Sequence, residues 1–150
     1  GGQKRANYLT LPATPATQEA KFASIDPKFR PFVDRIFAML RGQGYQPYLV
    51  NGWRNPDSQA GLKASGASTV LFSLHNATRN GKPAALAVDI ANASGEGNSE
   101  AFYAALGRAA EGIGMTWGGS WTGFRDLPHV QMGGVSLPRD PDEARRKFLV

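Results

Sequence analysis

Apolar residues recur at helical spacing in two segments of the chain. The first begins at Asp26-Pro27, where an N-cap candidate precedes a proline at the first helical position, and it ends at residues 42–44. The second covers residues 99–113. Both segments therefore predict an amphipathic helix, and a terminal helix is predicted at residues 141–148, after Asp140. The apolar face of the first helix consists of Phe29, Phe32, Val33, Ile36, Phe37 and Leu40.

Short β-prone runs separate these helices. Residues 45–54, 86–90 and 129–132 are each predicted to form a strand, and Pro47 favours an edge position for the first. Residues 76–84 carry polar turn formers. Helices and short strands in mixed order indicate an α+β fold, with a small antiparallel sheet flanked by helices.

The length of 150 residues fits one compact domain. Residues 1–20 are rich in Ala, Thr, Pro and Gln and are interpreted as an extended N-terminal arm or linker remnant, with the domain at residues 21–150. No apolar run approaches the roughly 20 residues that a membrane-spanning helix needs, so membrane insertion is not expected. The chain contains no cysteine, which excludes disulfides, thiol nucleophiles and thiolate metal ligands.

The net charge is +5, which favours a polyanionic partner such as nucleic acid, anionic lipid or bacterial wall polymer. Charge alone does not choose among them. A nucleic-acid binder is disfavoured because the sequence has neither a recognition-helix signature nor an interleaved basic and aromatic motif.

Only two histidines occur, and each lies near an aspartate. His75 precedes Asp89 by fourteen positions, and Asp89 lies within the apolar run of a predicted strand. A carboxylate in such a strand must be hydrogen-bonded, paired or metal-bound. His129 follows Asp126 by three positions, and the intervening proline argues against a helix there. Two imidazoles and one carboxylate match the ligands of a catalytic zinc site, which leaves Asp126 as a candidate base.

The spacing also allows a plainer interpretation. A histidine near a turn is more often solvated or hydrogen-bonded, and an aspartate in a strand is usually a local capping group. A His and an Asp fourteen positions apart are not a general metal signature. From spacing alone, both interpretations stay open.

Four short motifs follow one another between Arg54 and Gln131: Ser73-Leu74-His75, Ala87-Val88-Asp89, Trp117-Gly118-Gly119 and Asp126-Leu127-Pro128-His129. In this order they resemble the M15 family of zinc peptidases, whose pattern is S-x-H, A-x-D, W-G-G and E/D-x-x-H. The similarity is greatest to phage-endolysin L-alanyl-D-glutamate peptidases and to D-Ala-D-Ala carboxypeptidases, which cut peptidoglycan stem peptides.

This resemblance implies a hedgehog/D-Ala-D-Ala peptidase fold in which His75, Asp89 and His129 bind Zn²⁺ and Asp126 is the catalytic acid/base. It also implies that Arg54 binds substrate or polarises its carbonyl, which suits a guanidinium. A surface salt bridge is the alternative for that arginine.

Three further positions are carried over as substrate-binding candidates: Gln59, Ser73 and Trp117. For Trp117, and for Trp121 and Phe124 nearby, packing in the core and loops is favoured over a role as walls of the peptide groove.

One departure concerns spacing. The family usually places the first His seven positions before the Asp, so about seven residues look inserted at residues 77–84. Asn80-Gly81 and Pro83 are the turn formers that an outward loop needs. The site is expected to survive, while the loop reshapes the cleft.

The resulting expectation is a monomeric zinc peptidase that acts on peptidoglycan stem peptides in the periplasm or cell wall, as an endopeptidase or a carboxypeptidase. Whether it serves a phage, a bacterium or a delivered toxin stays open. The alternative is a metal-containing domain that binds wall peptides or a partner without cleaving them.

Overall fold

The computed structural model describes residues 11–57 and 72–150. Two short 3₁₀ turns lie at Leu74–Asn76 and Gly118–Ser120. The helices are α1 (Gln18–Ala23), α2 (Arg30–Gly42), α3 (Glu100–Gly112) and α4 (Pro141–Phe148). The strands are β1 (Pro47–Asn51), β2 (Thr78–Arg79), β3 (Lys82–Pro83), β4 (Ala87–Asn92), β5 (Thr116–Trp117) and β6 (His129–Gln131).

Four strands form an antiparallel sheet in the order β1-β4-β6-β5. Alternation along β4 and β6 separates the two faces of this sheet, because successive side chains point to opposite sides. Val88, Ile90 and Val130 enter the main core with the apolar faces of α2 and α3. Asp89 and His129, which are cross-strand partners, therefore lie on the other face. The α+β prediction and the edge position of β1 are confirmed.

Local signals explain where the helices begin. The Ser99 hydroxyl accepts from the Phe102 amide at the start of α3, and the Asp140 carboxylate accepts from the Asp142 amide at the start of α4. The first predicted helix starts later than expected: residues 27–29 form a turn held by Asp26, and α2 begins at Arg30. None of the helices in residues 11–57 and 72–150 is long and apolar enough to cross a membrane.

Helix α1 covers the outer edge of the sheet. Its Gln18 side chain donates to the Leu49 carbonyl at 2.6 Å and accepts from the Leu49 amide at 2.8 Å, as a neighbouring strand would. The predicted arm thus ends earlier than residue 20, because Gln18 already begins a helix capped by Thr17.

The segment predicted as an outward loop is instead a docked hairpin of β2 and β3. Asn80 and Gly81 adopt positive φ values of 53° and 72°, the backbone that a two-residue turn between twisted strands requires. Arg79 reaches the buried Asp26 carboxylate at 2.6 Å. The Thr78 hydroxyl donates to the Val150 carbonyl at 2.9 Å. The hairpin therefore packs against the domain rather than projecting from it.

Candidate metal centre and active site

Three side chains from three separate elements meet on the polar face of the sheet. His75 comes from the 3₁₀ turn, Asp89 from β4 and His129 from β6. Each offers one ligand atom, and these atoms lie within 4.8 Å of one another. His75 Nε2 is 3.3 Å from Asp89 Oδ2, and His129 Nδ1 is 3.5 Å from Asp89 Oδ1. Residues remote along the chain are thus brought to one point.

The second nitrogen of each imidazole is bound elsewhere. His75 Nδ1 lies 2.9 Å from the Gly52 carbonyl oxygen, and His129 Nε2 lies 2.8 Å from Gln131 Oε1. Since both oxygens can only accept, these nitrogens carry the protons. His75 Nε2 and His129 Nδ1 are then left with free lone pairs directed at Asp89, as in histidines that ligate a metal.

The donor set suits a divalent cation. His75 Nε2 and Asp89 Oδ1 are buried and have no hydrogen-bond partner among the described residues. Buried polar atoms are rarely left unsatisfied in native proteins, so two of them within one cluster call for an additional partner. Two imidazole nitrogens and a carboxylate oxygen are zinc ligands, and three protein ligands are the number that a catalytic zinc site uses.

The three side chains shift one another's pKa values. Burial alone would raise the pKa of Asp89, but the charge of His75 and the close approach of both imidazoles hold that pKa well below its ordinary range. Burial likewise opposes the charged form of His129, yet hydrogen bonding with Asp89 and its negative charge raise the pKa of His129 above its usual value. A deprotonated carboxylate, the form that binds metal, is therefore favoured at position 89.

Asp126 stands beside this cluster on its open side. Its Oδ2 is 3.7 Å from His129 Nδ1, and its amide donates to the Gly118 carbonyl at 3.0 Å, which fixes the loop. The side chain is about one-third exposed. Burial and the negative charge of Asp89 raise the pKa of Asp126. A half-buried carboxyl whose pKa is raised is suited to accept and return a proton.

Arg54 is built into the same site through its backbone. Its amide donates to the His75 carbonyl at 2.8 Å, and its carbonyl accepts from Asn76 Nδ2 at 2.9 Å. Burial lowers the pKa of Arg54, while the charges of Asp89 and Asp126 favour its cationic form. The guanidinium Nε is buried and has no hydrogen-bond partner among the described residues. The burial of this nitrogen disfavours a surface salt bridge as the interpretation of Arg54.

Ser73 and Trp117 make structural contacts. The Ser73 hydroxyl accepts from the His75 amide and so caps the turn that presents His75. The Trp117 ring fills the space above Gly107 and Gly119, where an added Cβ would collide with it. Its indole N–H donates to the Leu127 carbonyl at 2.7 Å. Ser73 thus holds the turn that carries His75, and Trp117 holds the loop that carries Asp126. The contacts of Trp117 agree with its interpretation as a packing residue.

The open side also carries exposed aromatic rings. Trp121 lies against His129 with ring centroids 5.0 Å apart, and it remains 36% exposed. Phe124 is 72% exposed. Gln59, the remaining predicted contact, lies outside the described residues.

Two residues that touch the ligands were not assigned from the sequence. Asn51 Nδ2 donates to Asp89 Oδ2 at 2.9 Å, and Gln131 accepts from His129 as described above. Gln131 could have been inferred, because a residue two positions after His129 in a strand shares its face. Asn51 could not, since its approach to Asp89 depends on an irregular strand pairing.

An α+β domain with a His-Asp-His cluster and a neighbouring free carboxyl defines a metallopeptidase-like class of protein. Comparisons with known proteins agree. The M15 family model described as D-alanyl-D-alanine carboxypeptidase matches residues 67–132. A search among curated proteins finds no match.

A solved structure extends the likeness to most of the chain. The fold is similar to the crystal structure of Serratia marcescens L-Ala D-Glu endopeptidase ChiX, with a TM-score of 0.56, and the two sequences are 25% identical. The alignment covers 84% of this chain and 93% of that one. The family match over residues 67–132 and this structural likeness together support an M15 family peptidase.

Proposed function

We propose that the protein is a zinc-dependent peptidase that hydrolyses an amide bond in the stem peptide of bacterial peptidoglycan. The observation that carries this proposal is the convergence of His75, Asp89 and His129 within 4.8 Å, with the Asp126 carboxylate 3.7 Å from His129. The endopeptidase activity of the similar ChiX and the carboxypeptidase description of the family model support the substrate class.

His75, Asp89 and His129 would hold the metal. Bound zinc supplies a Lewis acid that polarises the scissile carbonyl and makes water a better nucleophile near neutral pH. Asp126 accepts a proton from the attacking water at its carboxylate and then returns it to the departing nitrogen. Exposure of Asp126 on the open side lets substrate approach this carboxylate.

Arg54 would stabilise negative charge on the substrate. Its guanidinium is partly buried and is influenced by the negative charges of Asp89 and Asp126, and its backbone is tied to the turn that carries His75. A guanidinium can hold either a substrate carboxylate or the oxygen that gains charge during attack. The backbone contacts keep this side chain at the site before substrate arrives.

The two comparisons differ in the bond that is cut. The family model is described as a carboxypeptidase, whereas ChiX is an endopeptidase. Either an endopeptidase or a carboxypeptidase reaction would cleave an amide bond of the stem peptide. A wall substrate places the site of action outside the cytoplasmic membrane, and the positive net charge would favour adsorption to an anionic wall.

Digestion of purified sacculi tests the proposal. The zinc-loaded protein should release muropeptides whose new amine termini, identified by mass spectrometry, mark the bond that was cut. Treatment with a chelator should abolish release, and added Zn²⁺ should restore it. Stoichiometric zinc binding without any new terminus would overturn the proposed hydrolysis and favour a domain that binds wall peptides without cleaving them.

A further inference from the structure

Strand β1 contains an irregularity next to the metal ligands. Leu49 pairs with Ile90 on β4, but the next pair joins Asn51 to Asp89, so Val50 is an extra residue without its own partner. Such a β-bulge shifts the side chains that follow it by one position. In regular pairing, Val50 would lie opposite Asp89. The bulge brings an amide rather than an isopropyl group to the carboxylate.

Two consecutive residues after the bulge each contact a different ligand. The Asn51 side chain donates to Asp89 Oδ2 at 2.9 Å. The Gly52 carbonyl accepts from His75 Nδ1 at 2.9 Å. Gly52 itself is closely confined, since an added Cβ would lie 2.7 Å from the Lys21 carbonyl oxygen. The backbone that presents Asn51 therefore has little freedom to move.

The contact distinguishes the two oxygens of Asp89. Because a deprotonated carboxylate can only accept, Asn51 must present its NH₂ group to Oδ2. Oδ1, by contrast, is buried with no hydrogen-bond partner among the described residues, and it lies 3.5 Å from His129 Nδ1. Oδ2, which also lies 3.3 Å from His75 Nε2, thus receives a hydrogen bond from Asn51, whereas Oδ1 receives none from the described residues.

We infer that Asn51 is a positioning residue for the metal, holding Asp89 Oδ2 so that Oδ1 faces the ion between His75 and His129. This inference rests on the proposed zinc site. The hydrogen bond from the amide restrains rotation of the carboxylate about its Cβ–Cγ bond, as outer contacts to metal ligands do.

Zinc affinity of Asn51 variants tests this role. Asn51→Leu keeps the approximate size and removes the donor, so zinc affinity, measured by competition with a chromophoric chelator, should fall about 10- to 100-fold. The d–d absorption spectrum of the cobalt-substituted protein should also change. Asn51→Gln keeps an amide donor and should recover most of the affinity. Asn51→Ser, which is too short to reach Oδ2, should lose affinity as Leu does.

Asn92→Leu is the matched control. Asn92 lies on β4 and its amide binds backbone carbonyls of Ser94 and Gly97 and the Gln46 amide, away from the ligands. Its replacement should lower thermal stability and leave the zinc affinity and cobalt spectrum of the folded protein unchanged.

The outcomes separate this inference from the proposed function. Unchanged zinc affinity and cobalt spectrum in both Asn51→Leu and Asn51→Ser, with a parent that binds zinc and cleaves sacculi, would overturn the role of Asn51 alone. A parent that binds no zinc would overturn both proposals. Lower zinc affinity in Asn51→Leu and Asn51→Ser, with affinity largely retained in Asn51→Gln, supports the positioning role. A purely structural role would not alter the cobalt spectrum of the folded protein.

Discussion

The buried and open sides of the proposed metal centre are built differently. On the buried side, His75, Asp89 and His129 are nearly inaccessible, and each is held by a second contact from Gly52, Asn51 or Gln131. On the open side, Asp126 is partly exposed and is held through the backbone of its loop. Trp121 and Phe124 there are exposed as well.

This difference separates holding a metal from acting on a substrate. Ligands must keep their geometry through every turnover, which burial and fixed hydrogen bonds provide. A proton-transferring carboxyl must meet substrate, which requires exposure. Substitutions on the buried side should therefore change metal binding, whereas substitutions on the open side should change turnover or substrate affinity.

The largest effect is expected on the buried side. His75→Ala removes a ligand and leaves Asp89 and His129 to bind the ion alone. Zinc affinity should fall by more than the roughly 100-fold typical of losing an outer partner, and activity on sacculi should vanish. Isothermal titration with Zn²⁺ measures the first effect. A variant that still binds one zinc as tightly as the parent would contradict the assignment of His75.

Asp126→Asn should produce nearly as large a loss of activity without loss of metal. The amide keeps the size of the carboxyl but cannot accept the proton, so kcat should fall about 10²- to 10⁴-fold. Zinc content by atomic emission should equal that of the parent. Loss of zinc together with activity would place Asp126 among the ligands and remove the distinction between the two sides.

The packing of Trp117 against α3 can be tested with two glycines of that helix. Gly107→Ala places a methyl group against the Trp117 ring, whereas the Cβ of Gly112→Ala meets no atom within 4 Å. Overpacking should make Gly107→Ala less stable by about 1–3 kcal/mol. Gly112→Ala, the control in the same helix, should be neutral or slightly stabilising.

Urea denaturation measures both glycine variants, and kcat of the folded protein gives a second readout. Because the Trp117 indole binds the Leu127 carbonyl in the Asp126 loop, displacement of this ring should also lower kcat for Gly107→Ala. Equal stability of the two variants would show that the Trp117 ring can move to accept the added methyl group without loss of stability.

The smallest effect is expected for Phe124→Ala. With 72% of this residue exposed, stability should change by no more than about 0.5 kcal/mol, and zinc affinity should stay the same. If the ring contacts the peptide, KM for muropeptides should rise a few-fold. An unchanged KM would remove Phe124 from the substrate surface.

Periodicity predicted much of the fold, and motif order predicted that His75, Asp89 and His129 converge. The helices at α2, α3 and α4 follow from amphipathic spacing and caps, which are local properties of the chain. The agreement of Ser73-Leu74-His75 and Asp126-Leu127-Pro128-His129 with a family pattern placed both histidines and Asp126 in the site. Convergence of those residues is a tertiary property, which spacing alone did not determine.

The remaining differences arise from long-range contacts. Residues 77–84 have the composition of a loop, yet Arg79 pairs with Asp26 and Thr78 binds Val150, partners that lie 53 and 72 positions away. Asn51 reaches Asp89 through a bulge that no local signal marks. The Ser73 hydroxyl caps the turn that carries His75, and its predicted contact with substrate stays a prediction.

The side chain of Gln18 has a consequence for how peptides and other chains can approach. By satisfying both backbone groups of Leu49, it occupies the position where an incoming extended segment would extend the sheet. A second copy of the domain cannot pair along the edge at this residue. An elongated substrate therefore cannot add itself as a fifth strand beside β1 at this residue.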